Sequence, residues 1–511
     1  MTWWGWGRAD RALDDEQVRA LGDARVRPYL PLDGAVTPVP PVPELPAPRV
    51  RPPAALAPLV VDDAETRAGH ALGKAFRDVA RALTGRLDRA PDLVAYPRAE
   101  ADVDALLDWA AGQGVAVVPY GGGSSVVGGV EYRGDAPWLS LDTARLAGVE
   151  VDDVNRIARA GGGVFGPALE DRLRPAGLTL RHYPQSFEFS TVGGWVATRA
   201  GGHFATGPTH IDDLVHALRV VTPAGVVETA RVPASGAGPD PARLFLGSEG
   251  TLGVVSAAWL RVRPRPRFTA AATLRFAGYG DSLDAVRAVA QSGLAPSNCR
   301  LLDPLEAALH AGARDGDARL LLGFESAEVP VDAPLAHAVD LCRAHGGVPE
   351  PRADADTAGE WRGAFLRAPY LRDALVRLGL IVETVETACR WDRFPDLHAA
   401  VVAAACAAAP GGTALVSYRF THVYPDGPAP YFTILAPARR DAAVAGWDAV
   451  KLAVNDAIAA AGGTVTHHHA VGRDHRRWYD AERPEPFAAA LRAAKAALDP
   501  AGVLNPGVLI D

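Results

Sequence analysis

Sulfur is scarce in this sequence, which has four cysteines and one methionine among 511 residues. The cysteines, Cys299, Cys342, Cys389 and Cys406, lie far apart and form no C-x-x-C pair, which argues against a zinc ribbon and a disulfide scaffold. They read as reduced core thiols. Basic residues are not in excess either: 52 Lys and Arg face 60 Asp and Glu, a formal charge of -8, so a bulk electrostatic grip on nucleic acid is disfavoured. Long apolar runs are missing, and the longest stretch of small apolar residues, Ala399 to Ala409, falls far short of the roughly 20 residues of a spanning helix. The start, MTWWGWGRAD, lacks the charged and apolar regions of a secretory signal. A cytoplasmic protein, with peripheral membrane association left open, is the expectation. No G-x-x-x-x-G-K-[ST] loop is present, and no G-x-G-x-x-G loop in a β-α unit has an acidic ribose partner, which removes the Walker and Rossmann nucleotide sites.

With 48% hydrophobic and 22% charged residues, the chain has an ordinary globular composition. Eleven prolines between Pro28 and Pro58 forbid helix and central strand there, because each removes an N–H and fixes φ. This marks an extended arm, whose aromatic start (Trp3, Trp4, Trp6) is expected to fold back onto the body. Helical spacing follows over Arg67 to Leu83, then a strand over Asp92 to Pro97, a helix over Glu100 to Gly112 and an apolar strand, VAVVPY, running into glycines. Strand signals continue to about Arg267. From Phe268, strands and helices alternate in a split β-α-β manner, ending in the helix PFAAALRAAKAALDP. The reading is an α+β fold with four parts: an arm, linker and helix over 1–88, a domain over 89–267, a second lobe over 268–464 and a C-terminal segment over 465–511.

Three glycine-rich loops carry the chemistry. In PYGGGSSVVGG, consecutive glycines let backbone N–H groups converge on an anion without an intervening Cβ, and Ser124 and Ser125 add hydroxyl donors. A tight turn is the plain alternative for one such loop. QSFEFSTVGGWVATRAGG and GSEGTLGVVS add a second and a third, and three in one lobe exceed punctuation.

The order of these loops resembles the FAD-binding (PCMH-type) domain of the vanillyl-alcohol-oxidase type, joined to an α/β cap. The wider match, which includes WWGWG, CRLLD, YLRD, TVTHHHAVGRDHRRW and LDPAGVLNPG, is similar to the alkyldihydroxyacetonephosphate synthase family. The resemblance implies FAD held by Pro119, Tyr120, Gly121, Gly122, Gly123, Ser124 and Ser125; by Gln185, Ser186, Phe187, Glu188, Phe189, Ser190 and Thr191; by Ala197, Thr198, Arg199 and Ala200; and by Gly247, Ser248, Glu249, Gly250, Thr251, Leu252 and Gly253. Gln185 departs from the acid usual there. The family assignment further implies Tyr431 as proton donor and acceptor, Arg372 as substrate-binding arginine and Arg300 as a required one. The run His467, His468 and His469 is implied to be needed for activity.

On spacing alone, an extended run would place His467 and His469 on one face and His468 on the other, an arrangement suited to proton transfer more than to one metal ion. Edge tyrosine, surface arginine and solvated strand end are the ordinary alternatives for these residues. THVYPDGPAPYF has one histidine, His422, where related 2-hydroxyacid dehydrogenases carry the metal-binding GHxGDGNxH, so no metal is expected. The implied reaction exchanges the acyl group of acyl-dihydroxyacetone phosphate for a long-chain alcohol, with flavin as an electrophile and no net redox change. An FAD-dependent oxidoreductase of a hydroxyacid or alcohol is the alternative. The implied partners are a lipid phosphate and a fatty alcohol, with a homodimer left open.

Overall fold

The computed structural model describes residues 2–311, 313, 315–351 and 369–510; within the 268–464 lobe read from the sequence, 352–368 lie outside it. A four-stranded sheet runs in the order Val60–Val61, Leu93–Ala95, Trp138–Asp142, Ala116–Tyr120, antiparallel at its first pair and parallel thereafter. Its parallel strands are apolar runs, as strands covered on both faces must be. Helix Glu100–Gln113 spans the connection to Ala116–Tyr120 and stops at Gly114, whose φ of 63° a glycine adopts without strain. A five-stranded antiparallel sheet follows: Val149–Asp152, Ile157–Gly161, Val254–Arg261, Val215–Thr222, Gly225–Glu228. Its edge strands alternate half-buried and exposed, while the central Val254–Arg261 is buried along nearly its whole length.

The second lobe is a seven-stranded antiparallel sheet in the order Val348–Pro349, Phe268–Phe276, Ala318–Ser326, Asn298–Leu302, Leu415–Val423, Pro428–Pro437, Leu380–Glu386. Helices Tyr279–Gln291, Asp332–Ala344, Phe394–Ala408 and Ala443–Ala460 pack against it and share one apolar core with it. That core also takes in Trp4, Val26, Leu30 and Phe76, so the N-terminal region packs on this lobe. Helix Asp15–Arg25 starts at an Asp14–Gln17 capping box, and residues 31–48 have no regular structure.

Two sequence readings are corrected. The single helix over 67–83 is two, Ala64–Gly69 and Phe76–Ala82, because the intervening backbone turns to meet the first glycine loop. There the Lys74 amide donates to the Ser125 carbonyl at 2.6 Å, and a Cβ on Gly73 would lie 2.5 Å from that oxygen. The four cysteines are free, but Cys406 is only half-buried.

Candidate active site

The three glycine loops interlock so tightly that side chains are excluded between them. A Cβ on Gly122 would stand 1.7 Å from the Phe189 carbonyl oxygen, and one on Gly250, at φ 73°, 2.9 Å from Pro119. The second loop ends where Thr191 caps helix Val192–Thr198 by accepting the Gly194 amide at 3.2 Å. All three loops line a cavity of about 350 Å³. Among the described residues, the amides of Gly122, Gly123, Ser124 and Ser125 find no acceptor in the chain, though all four residues face this cavity. Backbone donors held open in a concave loop are what a pyrophosphate requires, so the residues present fit a dinucleotide such as FAD. The C-terminal segment closes the back of these loops. Glu249 accepts the Val471 and Gly472 amides at 2.9 and 2.7 Å, and the Asn505 side-chain amide donates to the carbonyls of Glu249 and Gly129. Burial pushes the Glu249 carboxyl up to about 7.

One face of the seven-stranded sheet forms the facing wall. Side chains alternate across a strand, so Thr384 and Val382, Tyr431, Thr433 and Leu435, and Arg419 and Thr421 all face the cavity. Register puts three functional groups in one row: Tyr431 pairs with Arg419 on one side and with Glu386 on the other. The Arg419 guanidinium carbon lies 4.2 Å from the centroid of the Tyr431 ring, a cation–π contact. Arg419 Nη1 also donates to the fully buried Glu306 carboxylate at 2.6 Å, whose other oxygen accepts the Ser417 hydroxyl at 2.7 Å. The Tyr431 hydroxyl donates to Gln185 Oε1 at 3.4 Å, joining the cap to the second glycine loop. Burial raises the phenol, opposed by the Arg419 charge, a Thr384 hydrogen bond and Arg372. Arg300, 1% exposed, and Arg372 reach the same cavity, so three guanidinium groups converge there. Burial brings Arg300 down to about 9, with the Arg419 charge acting in the same direction. Arg419 and Glu386 are residues that sequence reading missed; the signal for Arg419 was an arginine twelve residues before Tyr431 within a hairpin.

The histidine run is not extended. The backbone turns, and the amides of His467, His468 and His469 all converge on Glu386, at 2.5, 3.1 and 2.8 Å for their shortest bonds, with the Thr466 hydroxyl at 2.5 Å. An alternating strand cannot aim three successive N–H groups at one carboxylate, so Glu386 overrides the expected alternation. Burial opposes ionisation of Glu386, but the charge that the adjoining imidazoles take up in acid and the Thr466 hydrogen bond outweigh it and hold the carboxyl well below its usual range. Burial keeps the imidazoles neutral, lowering His469 to about 3 and His467 and His422 well below the ordinary value. His468 and His469 line the cavity beside Tyr431, with ring centroids 6.1 and 5.6 Å from it; His467 lies behind them.

Hydrogen bonds thread these rings outward. His467 Nδ1 meets His468 Nδ1 at 3.0 Å, and His467 Nε2 meets the Tyr424 hydroxyl at 2.8 Å. Tyr424 meets the Thr209 hydroxyl at 3.1 Å, which meets His210 Nδ1 at 3.2 Å. The His467 carbonyl can only accept, so His210 Nε2 donates to it at 2.9 Å. The same logic makes His422 Nε2 donate to the Gly202 carbonyl at 3.0 Å. The nitrogens of His422, His467 and His468 lie within 4.8 Å of one another, close enough to share a metal ion, which spacing alone did not indicate.

Several residues assigned to the cofactor do not line the cavity. Phe187 stacks on Trp195, Phe189 packs near Trp6 and Tyr370, and Arg199 pairs with Asp212 at 2.8 Å. Glu188 faces Arg11 at 3.8 Å, while Gly247, Ser248, Thr251 and Leu252 shape the third loop from behind. Thr143, Gly193, Trp195 and Gly201 line the cavity without having been singled out.

Residues 91–231 match the family described as FAD binding domain, and residues 265–509 match FAD linked oxidases, C-terminal domain. The chain is 29% identical over 479 residues to the alkyldihydroxyacetonephosphate synthase of Dictyostelium discoideum, covering 88% of this chain and 78% of that protein. It is 30% identical over 477 residues to the protein of that name from Caenorhabditis elegans, covering 87% and 79%. A solved structure of an alkyldihydroxyacetonephosphate synthase shares the fold at a TM-score of 0.83 and 24% identity, over 99% of this chain and 98% of that one. These matches define the architecture: an FAD-binding domain joined to the C-terminal domain of FAD-linked oxidases.

Proposed function

The chain belongs to the alkyldihydroxyacetonephosphate synthase family, and from that premise we propose that it exchanges the acyl group of an acyl-dihydroxyacetone phosphate for a long-chain alcohol. It is an FAD-dependent enzyme. The observation that carries the proposal is a single cavity in which three arginines, Tyr431 and neutral histidines share space with apolar side chains of the N-terminal helix and of residues 369–375. Such a cavity suits a substrate with an anionic head and a hydrocarbon tail.

FAD, when bound on the glycine loops, supplies an electrophilic ring. The chain does the rest. Arg372, with Arg300 and Arg419, holds the phosphate; guanidinium forks match its oxygen pairs. Tyr431 gives and takes a proton at its hydroxyl, and His468, neutral at rest, can receive one. Across the whole exchange the bond from the dihydroxyacetone carbon to the carboxylate oxygen breaks, a bond from that carbon to the alcohol oxygen forms, and the alcohol's proton leaves with the fatty acid. Electrons balance without an external acceptor.

Holoenzyme given an acyl-dihydroxyacetone phosphate and a fatty alcohol is expected to form ether and free fatty acid with no acceptor consumed. Acceptor-dependent turnover of a 2-hydroxyacid or alcohol, without ether, would overturn the reading in favour of an oxidoreductase. No described helix is long and apolar enough to cross a membrane. Peripheral contact with lipid vesicles, a homodimer and a cytoplasmic location complete the proposal, read by flotation, light scattering and cell fractionation.

A further inference from the structure

The aromatic start of the chain has no role in the scheme above, yet its residues reach the site. Trp6 lines the cavity. Its amide donates to Asp373 Oδ2 at 2.6 Å, and its indole N–H donates to the Lys74 carbonyl at 3.2 Å. The Arg372 guanidinium donates to that same carbonyl at 2.9 Å. The Lys74 amide, in turn, is the one bonded to Ser125 of the first glycine loop. The backbone of one residue, Lys74, therefore ties together the N-terminal hook, the substrate arginine and the cofactor loop.

The glycines of the hook have a matching explanation. A Cβ on Gly5 would lie 2.4 Å from Asp373 Oδ2, and one on Gly7, at φ 78°, would fall 2.1 Å from the Tyr370 ring. Both glycines let the hook lie flush on residues 370–373, the segment that carries Arg372. Trp6 also packs toward Phe189 of the second glycine loop, at 6.3 Å between centroids, and Phe189 toward Tyr370 at 6.0 Å. Lys74 itself is buried, its Nζ donating to the Thr2 carbonyl at 3.4 Å, so hook and hub enclose each other.

We infer that the WWGWG hook is a positioning device for the phosphate arginine, in which Trp6 fixes Arg372 through the shared Lys74 carbonyl. This rests on the proposed role of Arg372. With Trp6 docked, the carbonyl is held in one orientation and the guanidinium is aimed before substrate arrives; preorganisation of this kind shows as affinity for the anionic head. Trp6 is thus a positioning residue and not a catalytic one.

The test is Trp6→Phe in full-length holoenzyme, which keeps an aromatic ring at the site but removes the indole N–H together with the five-membered half of the indole. Losing one such hydrogen bond is expected to raise KM for the phosphate substrate about three- to tenfold, with kcat, the KM for the alcohol and FAD content within about twofold. In an Arg372→Gln background, Trp6→Phe should have no further effect on that KM, because the residue it acts through is gone. Equal KM values for Trp6→Phe and wild type, or equal effects in both backgrounds, would overturn the inference. Calorimetric binding of dihydroxyacetone phosphate separates this from the underlying reading. If Arg372→Gln binds it as wild type does, the role of Arg372 fails; if only Trp6→Phe is unchanged, the hook fails alone.

Discussion

Arg419 is placed to carry two loads, and replacing it by methionine separates them. Its guanidinium covers the Tyr431 ring at 4.2 Å and neutralises Glu306, which is 0% exposed. Arg419→Met keeps most of the side-chain volume but takes the bonded guanidinium away from the buried Glu306 carboxylate, to which the Ser417 hydroxyl still donates. Breaking a buried pair from one side costs about 3–5 kcal/mol. For an unfolding unit of about 200 residues, each kcal/mol moves the midpoint by roughly 2–4 °C, so the drop is on the order of 6–20 °C. Adding Glu306→Gln removes the stranded charge while preserving an acceptor for Ser417, and should recover more than half of the loss. Differential scanning calorimetry of wild type, both single variants and the double variant closes the cycle. If the double variant is as unstable as the sum of the two single ones, the pair is not what holds this part of the sheet. Activity in the recovered double variant should remain low, since the cation over Tyr431 is still missing.

Gly122→Ala drives a methyl group to within 1.7 Å of the Phe189 carbonyl and should yield protein with little bound FAD, read from the flavin absorbance per chain after gel filtration. Tyr431→Phe should lower kcat on the order of 100-fold or more with FAD content unchanged; unaltered turnover would remove Tyr431 from the chemistry. Tyr424→Phe breaks the chain from His468 to Thr209 and should lower kcat with little change in KM, in proportion to how far that chain carries protons. The pH dependence of stability also has a defined sign. His469 is depressed from 6.5 to about 3, so its contribution is complete above about pH 6.5 and is lost as pH falls toward 3. Glu386, also depressed, adds a loss below about pH 4.5 in the same direction. Buried carboxyls such as Glu249, raised to about 7, act in the opposite direction, so the check is differential: urea midpoints of Glu386→Gln should fall less than those of wild type between about pH 5 and 3.

The parts of the site visible in the sequence are those whose chemistry is local. Glycine loops announce themselves because a backbone that must present bare amides tolerates no Cβ, and their order carries the family resemblance that implies FAD. The strands of the cap were visible for a similar reason, their apolar alternation and turn residues being nearest-neighbour properties. The helix over 67–83 failed because its interruption has a distant cause, the Ser125 carbonyl some fifty residues on. The extended histidine run failed likewise: alternation is the default of an isolated strand, and Glu386, about eighty residues earlier, overrides it.

What the sequence determined by itself was the family, the cofactor and the list of polar residues worth watching, since each follows from residue type at short spacing. The tertiary structure alone decided which of them share a space. Strand register set Arg419, Tyr431 and Glu386 in one row, burial made Glu306 the counter-charge, and a shared carbonyl linked the first few residues of the chain to Arg372. These are long-range facts. Arginines, glutamates and tryptophans occupy surfaces and cores throughout any chain, and only the packing that brings them within a few ångströms gives them a common electrostatic field and therefore a common function.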